Sequence, residues 1–100
     1  MVTADQVRAL ALALDEACEQ DHHGRPSFRV RGSIFATLWS ASELNVMVGD
    51  ELILAAVADS PRVCAPRYWG KRLAAVQVDL DAADSGLVGD LLQAAWATKR

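Results

Sequence analysis

The stretch Ser27-Phe28-Arg29-Val30-Arg31-Gly32 decides the fold, because apolar and basic side chains alternate along it with the two-residue period of a β-strand. The alternation places Phe28 and Val30 on the inward side of the strand and Arg29 and Arg31 on the outward side. Gly32 ends the pattern, as a turn residue does. The stretch therefore predicts a strand with one apolar face and one basic face.

Two further strand signals follow this stretch at short intervals. Residues 34–39 are apolar and rich in strand-forming types, which predicts a central strand. The turn 40–42, Ser-Ala-Ser, separates them from residues 44–48, which alternate again with the apolar side chains inward. Strands joined by tight turns pair antiparallel. The middle of the chain therefore predicts an antiparallel sheet.

A helix precedes these strands. Thr3-Ala4-Asp5-Gln6 has the pattern of a capping box, and apolar residues then recur at helical spacing, which predicts a helix over 4–12. A short strand around residues 17–20 and a polar turn or loop over 22–26 complete the N-terminal part.

Helical and strand signals alternate in the second half of the chain. Asp50 is the predicted N-cap of a second helix that stops before Pro61, and residues 62–71 are expected to be extended or irregular. A strand over 73–80 follows, and Asp84 or Ser85 caps a last helix. The order helix–strands–helix–strand–helix predicts an α+β fold of two layers, with an antiparallel sheet covered by helices on one face.

Composition limits the chain to one domain over 1–100, since 100 residues suffice for a single core. No apolar run approaches the roughly 20 residues of a membrane helix, and the N-terminus lacks the features of a signal peptide. Cys18 and Cys64 are too few for a disulfide framework. These features predict a soluble cytoplasmic protein without a membrane segment.

Charge is distributed in blocks of alternating sign, although the net charge is only −3. Residues 22–42 and 60–78 contain basic residues and no acidic residue. If the two basic segments meet in space, they form a positive face on an acidic protein. Arg29 and Arg31 lie in the first segment, and Arg67, Lys71 and Arg72 flank Trp69 in the second.

Several short motifs, in order, resemble the MmcQ/YjbR family of small bacterial proteins. They are the opening helix 7–14, Gly24-Arg25-Pro26-Ser27-Phe28, Gly32-Ser33-Ile34-Phe35-Ala36, Tyr68-Trp69-Gly70-Lys71-Arg72 and the final Ala95-Trp96. The resemblance covers nearly the whole chain. It implies an α+β fold with helices on one side of an antiparallel sheet. It also implies a DNA-binding label that rests on structural analogy, with no catalytic residues to carry over.

Two functions remain open from the sequence. The first is a non-enzymatic module that binds DNA weakly and in a salt-sensitive way through Arg29, Arg31, Arg67, Lys71, Arg72 and Trp69. The second is an adaptor that binds a protein or a small ligand with the sheet face and Trp69. The position of the basic side chains discriminates between them. The oligomeric state is not determined by the sequence.

Patterns of catalytic and metal-binding residues are missing. The cluster Cys18-Glu19-Gln20-Asp21-His22-His23 has no second Cys or His pair at zinc spacing, so a polar loop is the better interpretation. No histidine base is placed beside Cys64, and the serines lack a nucleophile elbow. We therefore expect no enzymatic activity, no metal and no cofactor.

Overall fold

The computed structural model describes residues 1–100, which form three helices and six strands. The helices are α1 (Ala4–Leu12), α2 (Asp50–Asp59) and α3 (Ser85–Lys99). The strands are β1 (Ala17–His22), β2 (Arg25–Val30), β3 (Ser33–Leu38), β4 (Glu43–Val46), β5 (Cys64–Trp69) and β6 (Arg72–Asp79). All strand pairs are antiparallel, in the order β1-β2-β3-β4-β6-β5. The predicted α+β fold and its order of elements are confirmed.

Two-residue turns join the first three strands. His23 and Gly24 have φ values of 53° and 84°, and Arg31 and Gly32 have φ values of 51° and 81°. Positive φ at both central residues is what a type I′ hairpin turn requires, and its twist matches that of the strands it connects. The predicted loop over 22–26 is therefore wrong in extent, because this turn lets β1 continue to His22 and β2 begin at Arg25.

One face of the sheet forms the core with the helices. Phe28, Ala36, Val46 and Val76 are successive Cα partners across four strands, and all four are fully buried. Cα partners in antiparallel strands project to the same side. Helix α3 contacts β2, β3 and β4, helix α2 contacts β5 and β6, and α1 contacts α3 and β1. The inward assignment of Phe28 and Val30 is confirmed, since both are fully buried.

The opposite face of the sheet carries polar side chains. Ser27, Thr37, Asn45, Gln77 and Ala65 are successive Cα partners, and each is the sequence neighbour of a residue on the helix face. No helix packs on this row, so the name open face is used below for the side of the sheet that carries it.

The N-caps of α1 and α3 are the residues predicted from the sequence, whereas the N-cap of α2 is not. Thr3 and Gln6 form the predicted capping box of α1, and Asp84 caps α3 by accepting from the Leu87 N–H at 2.8 Å. The prediction of Asp50 as a cap is wrong, because Gly49 is the N-cap of α2 and Asp50 is its first helical residue. A carboxylate there still faces the positive end of the helix dipole.

The segment predicted as extended or irregular over 62–71 contains a regular edge strand. β5 pairs with β6 from Cys64 to Trp69, with one irregularity between Arg67 and Tyr68. Pro66 is tolerated because an edge strand has one side without ladder partners. None of the helices is both long and apolar enough to cross a membrane.

Candidate functional site

Three polar side chains of the open face are more than nine-tenths buried. Ser27 is satisfied, because its hydroxyl donates to the Gln20 carbonyl at 2.8 Å and accepts from Arg29 Nε at 3.2 Å. Thr37 and Asn45, which are direct Cα partners, make no side-chain hydrogen bond within the protein. Buried polar groups normally have partners. This pair therefore differs from the structural polar contacts around it.

The Asn45 carboxamide is the clearest case. The residue is 4% exposed, and its Oδ1 is fully enclosed without a hydrogen-bond donor. An unpartnered amide inside a protein costs about 1–3 kcal/mol. A central strand would normally place an apolar residue or a satisfied polar residue at such a position.

Trp39 lies at the end of β3 on the same face and holds two arginine side chains. The guanidinium carbons of Arg25 and Arg67 are 3.7 Å and 4.8 Å from the centroid of its ring. Arg25 is fixed further, since its Nε donates to the Trp39 carbonyl at 2.9 Å. The electron-rich face of the indole attracts both cations. The ring thus brings together arginines from β2 and β5, which are separated by three strands of the sheet.

Arg67 has a second unusual property. Its Nε is enclosed by protein and has no acceptor. An arginine donor that is removed from water without an acceptor is unfavourable, as for Asn45. The open face therefore contains both an unpartnered donor and an unpartnered acceptor.

A groove of about 780 Å³ runs along this face and over the end of the sheet where β3 and β6 begin. Thr37 and Asn45 lie in its lining, Trp39 and Trp69 contribute aromatic surface, and Ile34 and Leu73 contribute apolar surface. Trp69 is 51% exposed and Trp39 is 37% exposed, so both rings are accessible from the groove. The groove combines aromatic walls with a few buried polar groups.

The charge of the groove is positive. Arg25, Arg72 and Lys99 line it, and Asp50 is the one acidic residue among its lining residues. The ion pairs of the protein lie elsewhere: Arg8 pairs with Asp5 and Glu19, and Arg31 pairs with Glu16. The groove cations thus have no carboxylate partner within 4.0 Å.

Of the six site residues predicted from the sequence, two line this groove and two others belong to the same hairpin. Trp69 and Arg72 line it, Arg67 reaches the Trp39 ring at its margin, and Lys71 is exposed in the turn that joins β5 to β6. The guanidinium carbon of Arg72 is 6.0 Å from the centroid of the Trp69 ring. The second basic segment is thus close to the groove.

The two predicted site residues of the first basic segment lie in different parts of the structure. Arg29 lies on the open face, where it hydrogen-bonds Ser27, but it is not part of the groove lining. Arg31 occupies a turn with positive φ and binds Glu16 at 3.0 Å. The five predicted basic residues therefore do not form a single cluster.

The sequence did not point to Arg25, Thr37 or Asn45 as site residues, and Trp39 was not among the predicted site residues. Asn45 stands between two apolar residues in an alternating strand, which is the ordinary pattern for an outward, hydrated side chain. No signal in the sequence reveals that this position is buried on the open face.

The two cysteines have different environments. Cys18 is exposed on β1, and Cys64 is buried at the start of β5, where burial raises the pKa of its thiol. A raised pKa makes a thiol a poorer nucleophile at neutral pH. No group of three or more His, Cys, Asp or Glu side chains is arranged to hold a metal ion.

Comparison with known proteins agrees with the fold. The sequence profile of the YjbR family matches residues 12–98. The crystal structure of Deinococcus radiodurans protein DR2400, which contains a DUF419 domain, superposes with a TM-score of 0.82 at 22% identity. The match covers 98% of this chain and 78% of that protein. No curated protein matches the sequence.

Proposed function

From the premise that this chain belongs to the YjbR family, we propose that it is a non-enzymatic binding module whose groove on the open face takes up a small ligand. The observation that carries this proposal is the pair Thr37 and Asn45, which are nearly buried in the groove without protein partners. Polar groups that a ligand satisfies are costly in the empty protein and favourable in the complex.

The dimensions and lining of the groove fit this function. Its volume of about 780 Å³ falls in the range of about 300–1,000 Å³ that is usual for small-molecule sites. Such sites are mostly apolar or aromatic with a small number of well-placed polar groups. Trp39 and Trp69 provide the aromatic surface here, and Thr37 and Asn45 provide the polar groups.

The proposal is tested by titrating ¹⁵N-labelled protein with a library of small fragments and following the amide signals. Binding in the groove shifts the signals of strands β3, β4 and β6 around Thr37 and Asn45. Trp69→Ala should weaken binding because it removes one wall. Tyr68→Ala is the matched control, since Tyr68 is the equally exposed neighbour outside the groove lining. If shifts are scattered over the surface, or if both variants behave alike, the groove is not the binding site.

Weak DNA binding is the second candidate, and one observation favours it. Arg67, Lys71 and Arg72 lie at the β5–β6 hairpin beside the half-exposed rings of Tyr68 and Trp69, without acidic partners. Cations that neutralise phosphates and rings that stack on unpaired bases suit a nucleic acid. The net charge of −3 limits this to weak, non-specific and salt-sensitive binding.

Fluorescence anisotropy of labelled DNA at low salt tests this candidate. Replacing Arg67 and Arg72 together by Ala should weaken binding and reduce its salt dependence, whereas Arg31→Ala should leave both unchanged, because Arg31 is paired with Glu16. Affinity no better than millimolar, or equal loss of affinity in all variants, rules out a DNA site at this hairpin.

We also propose the cytoplasm as the compartment, where a reducing environment keeps the thiols of Cys18 and Cys64 free.

A further inference from the structure

We infer that the ligand of the groove is a small planar organic acid, that is, a flat ring that carries a carboxylate or phosphate group and a polar atom on another edge. This inference rests on the proposed function of the groove and specifies the chemistry of what it binds. Three features of the open face support it, one for each part of the ligand.

The acidic group is indicated by the arginines on Trp39. Arg25 and Arg67 are held against one ring, and neither has a carboxylate within 4.0 Å. Arg25 lines the groove and uses its Nε on the Trp39 carbonyl, which leaves its terminal nitrogens for an acceptor on a ligand. Arg67 stacks on the same ring outside the groove lining, and its charge further favours an anion beside Arg25. Carboxylates and phosphates match the planar fork of donors that arginine presents.

The planar ring is indicated by the aromatic walls. Trp69 lines the groove with half of its surface exposed, and the guanidinium of Arg72 is 6.0 Å from its centroid, too distant to cover the ring closely. An uncovered indole is a stacking surface for a flat ligand. Ile34 and Leu73 add apolar contacts beside it.

The polar edge is indicated by Asn45 and Thr37. A carboxamide offers one acceptor and two donors, and a hydroxyl offers a donor and an acceptor. Both side chains are free of protein partners in the floor of the groove. A ring hydroxyl, ring nitrogen or carbonyl group on the ligand would satisfy the Thr37 hydroxyl and the Asn45 amide nitrogen, which are not enclosed as Asn45 Oδ1 is. A bare inorganic anion has no aromatic face for Trp69, and a purely apolar molecule would leave both charged and polar groups unsatisfied.

The test is a calorimetric and ¹⁵N NMR titration with five probes. These are 4-hydroxybenzoate, 4-hydroxyphenyl phosphate, 4-hydroxybenzyl alcohol as the uncharged ring, cyclohexanecarboxylate as the non-planar acid, and inorganic phosphate. We expect one of the two aromatic acids to bind at least about tenfold more tightly than each of the last three, which is the loss typical of one charged hydrogen bond. The tighter of the two aromatic acids identifies carboxylate or phosphate as the acidic group.

A matched pair of variants assigns the acidic group to its arginine. Arg25→Gln should weaken binding of the acid about tenfold or more while leaving the uncharged ring unaffected. Arg29→Gln removes the same charge from the same strand, outside the groove lining, and should leave binding unchanged. Equal effects of the two variants would reduce the contribution of Arg25 to general electrostatics and overturn the inference.

The outcomes separate the two proposals. If the uncharged ring binds in the groove as well as the acids do, the acid is excluded as the ligand class and the groove remains a binding site. If neither the fragment library nor any of the five probes shifts the signals around Thr37 and Asn45, both proposals are wrong.

Discussion

Replacing Asn45 by leucine tests whether the polar floor of the groove serves binding or stability. Leucine has the same number of side-chain heavy atoms as asparagine and the same branch at Cγ, although its two methyl groups are larger than the carboxamide oxygen and nitrogen. The substitution removes a carboxamide that is 4% exposed and whose Oδ1 has no partner. Removing an unsatisfied buried amide returns about 1–2 kcal/mol of its desolvation cost. We expect the variant to be more stable than the wild type by that amount.

The increase is large enough to measure by urea unfolding followed by circular dichroism. With an m-value of about 1–1.5 kcal/mol/M for a domain of this size, the midpoint should rise by roughly 1 M, and the melting temperature should rise by about 4–8 °C per kcal/mol. The same variant should lose binding of the aromatic acid, because the polar edge of the ligand no longer finds a partner. A gain in stability together with a loss of binding is the signature of a functional polar residue.

Ser27→Ala is the control for this prediction. Ser27 is equally buried on the same face, but its hydroxyl donates to the Gln20 carbonyl and accepts from Arg29. Removing it should destabilise the protein by about 1 kcal/mol and leave ligand binding intact. If Asn45→Leu destabilises the protein as much as Ser27→Ala does, Asn45 has a structural partner in solution and its assignment to binding fails.

Two further predictions concern the thiols and the glycines. Cys18 should react with iodoacetamide in the native protein, whereas Cys64 should react only on unfolding. Because burial raises the pKa of Cys64, the contribution of its neutral thiol to stability is complete below the thiol pKa of the unfolded chain, about 8.5, and declines as the pH rises above that value. Urea midpoints of the wild type and of Cys64→Ala, compared from pH 7 to 10, would detect this decline. Gly32→Ala should cost about 1 kcal/mol because φ is +81° in the type I′ turn, whereas Gly89→Ala in α3 should stabilise by about 0.5–1 kcal/mol, since a methyl group there meets only Leu10 at 3.8 Å. Equal melting temperatures for these two glycine variants would contradict the backbone argument.

Local sequence was sufficient for most elements of the fold. The start of α1 follows from Thr3 and Gln6, which fix the first turn of the helix through two reciprocal hydrogen bonds. The inward faces of the strands follow from their alternation, because a side chain in a strand points to the opposite side from its neighbour. Over 62–71 the sequence left open whether the chain is extended or irregular, because whether a segment that contains Pro66 can form a strand depends on its lying at the edge of the sheet.

The candidate site was predictable only in part, because it is formed by residues distant in the chain. Trp69 and Arg72 were recognised from the composition of their own segment. Arg31 was assigned to the same surface as Arg29 because strict alternation was extended one residue into a turn, where the positive φ instead directs it to Glu16.

The sequence by itself determined an antiparallel sheet with one apolar face, helices at both ends of the chain, and a basic strand of which Phe28 and Val30 form the buried side. Tertiary structure alone decided what lies on the other face. The order β4-β6-β5 places Arg67 close enough to reach Trp39, where it meets Arg25, and Asn45 on the same face is buried with its Oδ1 unpartnered. The physical reason is that periodicity reports which side of a strand a residue occupies, whereas burial and hydrogen bonding on that side depend on strands that are distant in sequence.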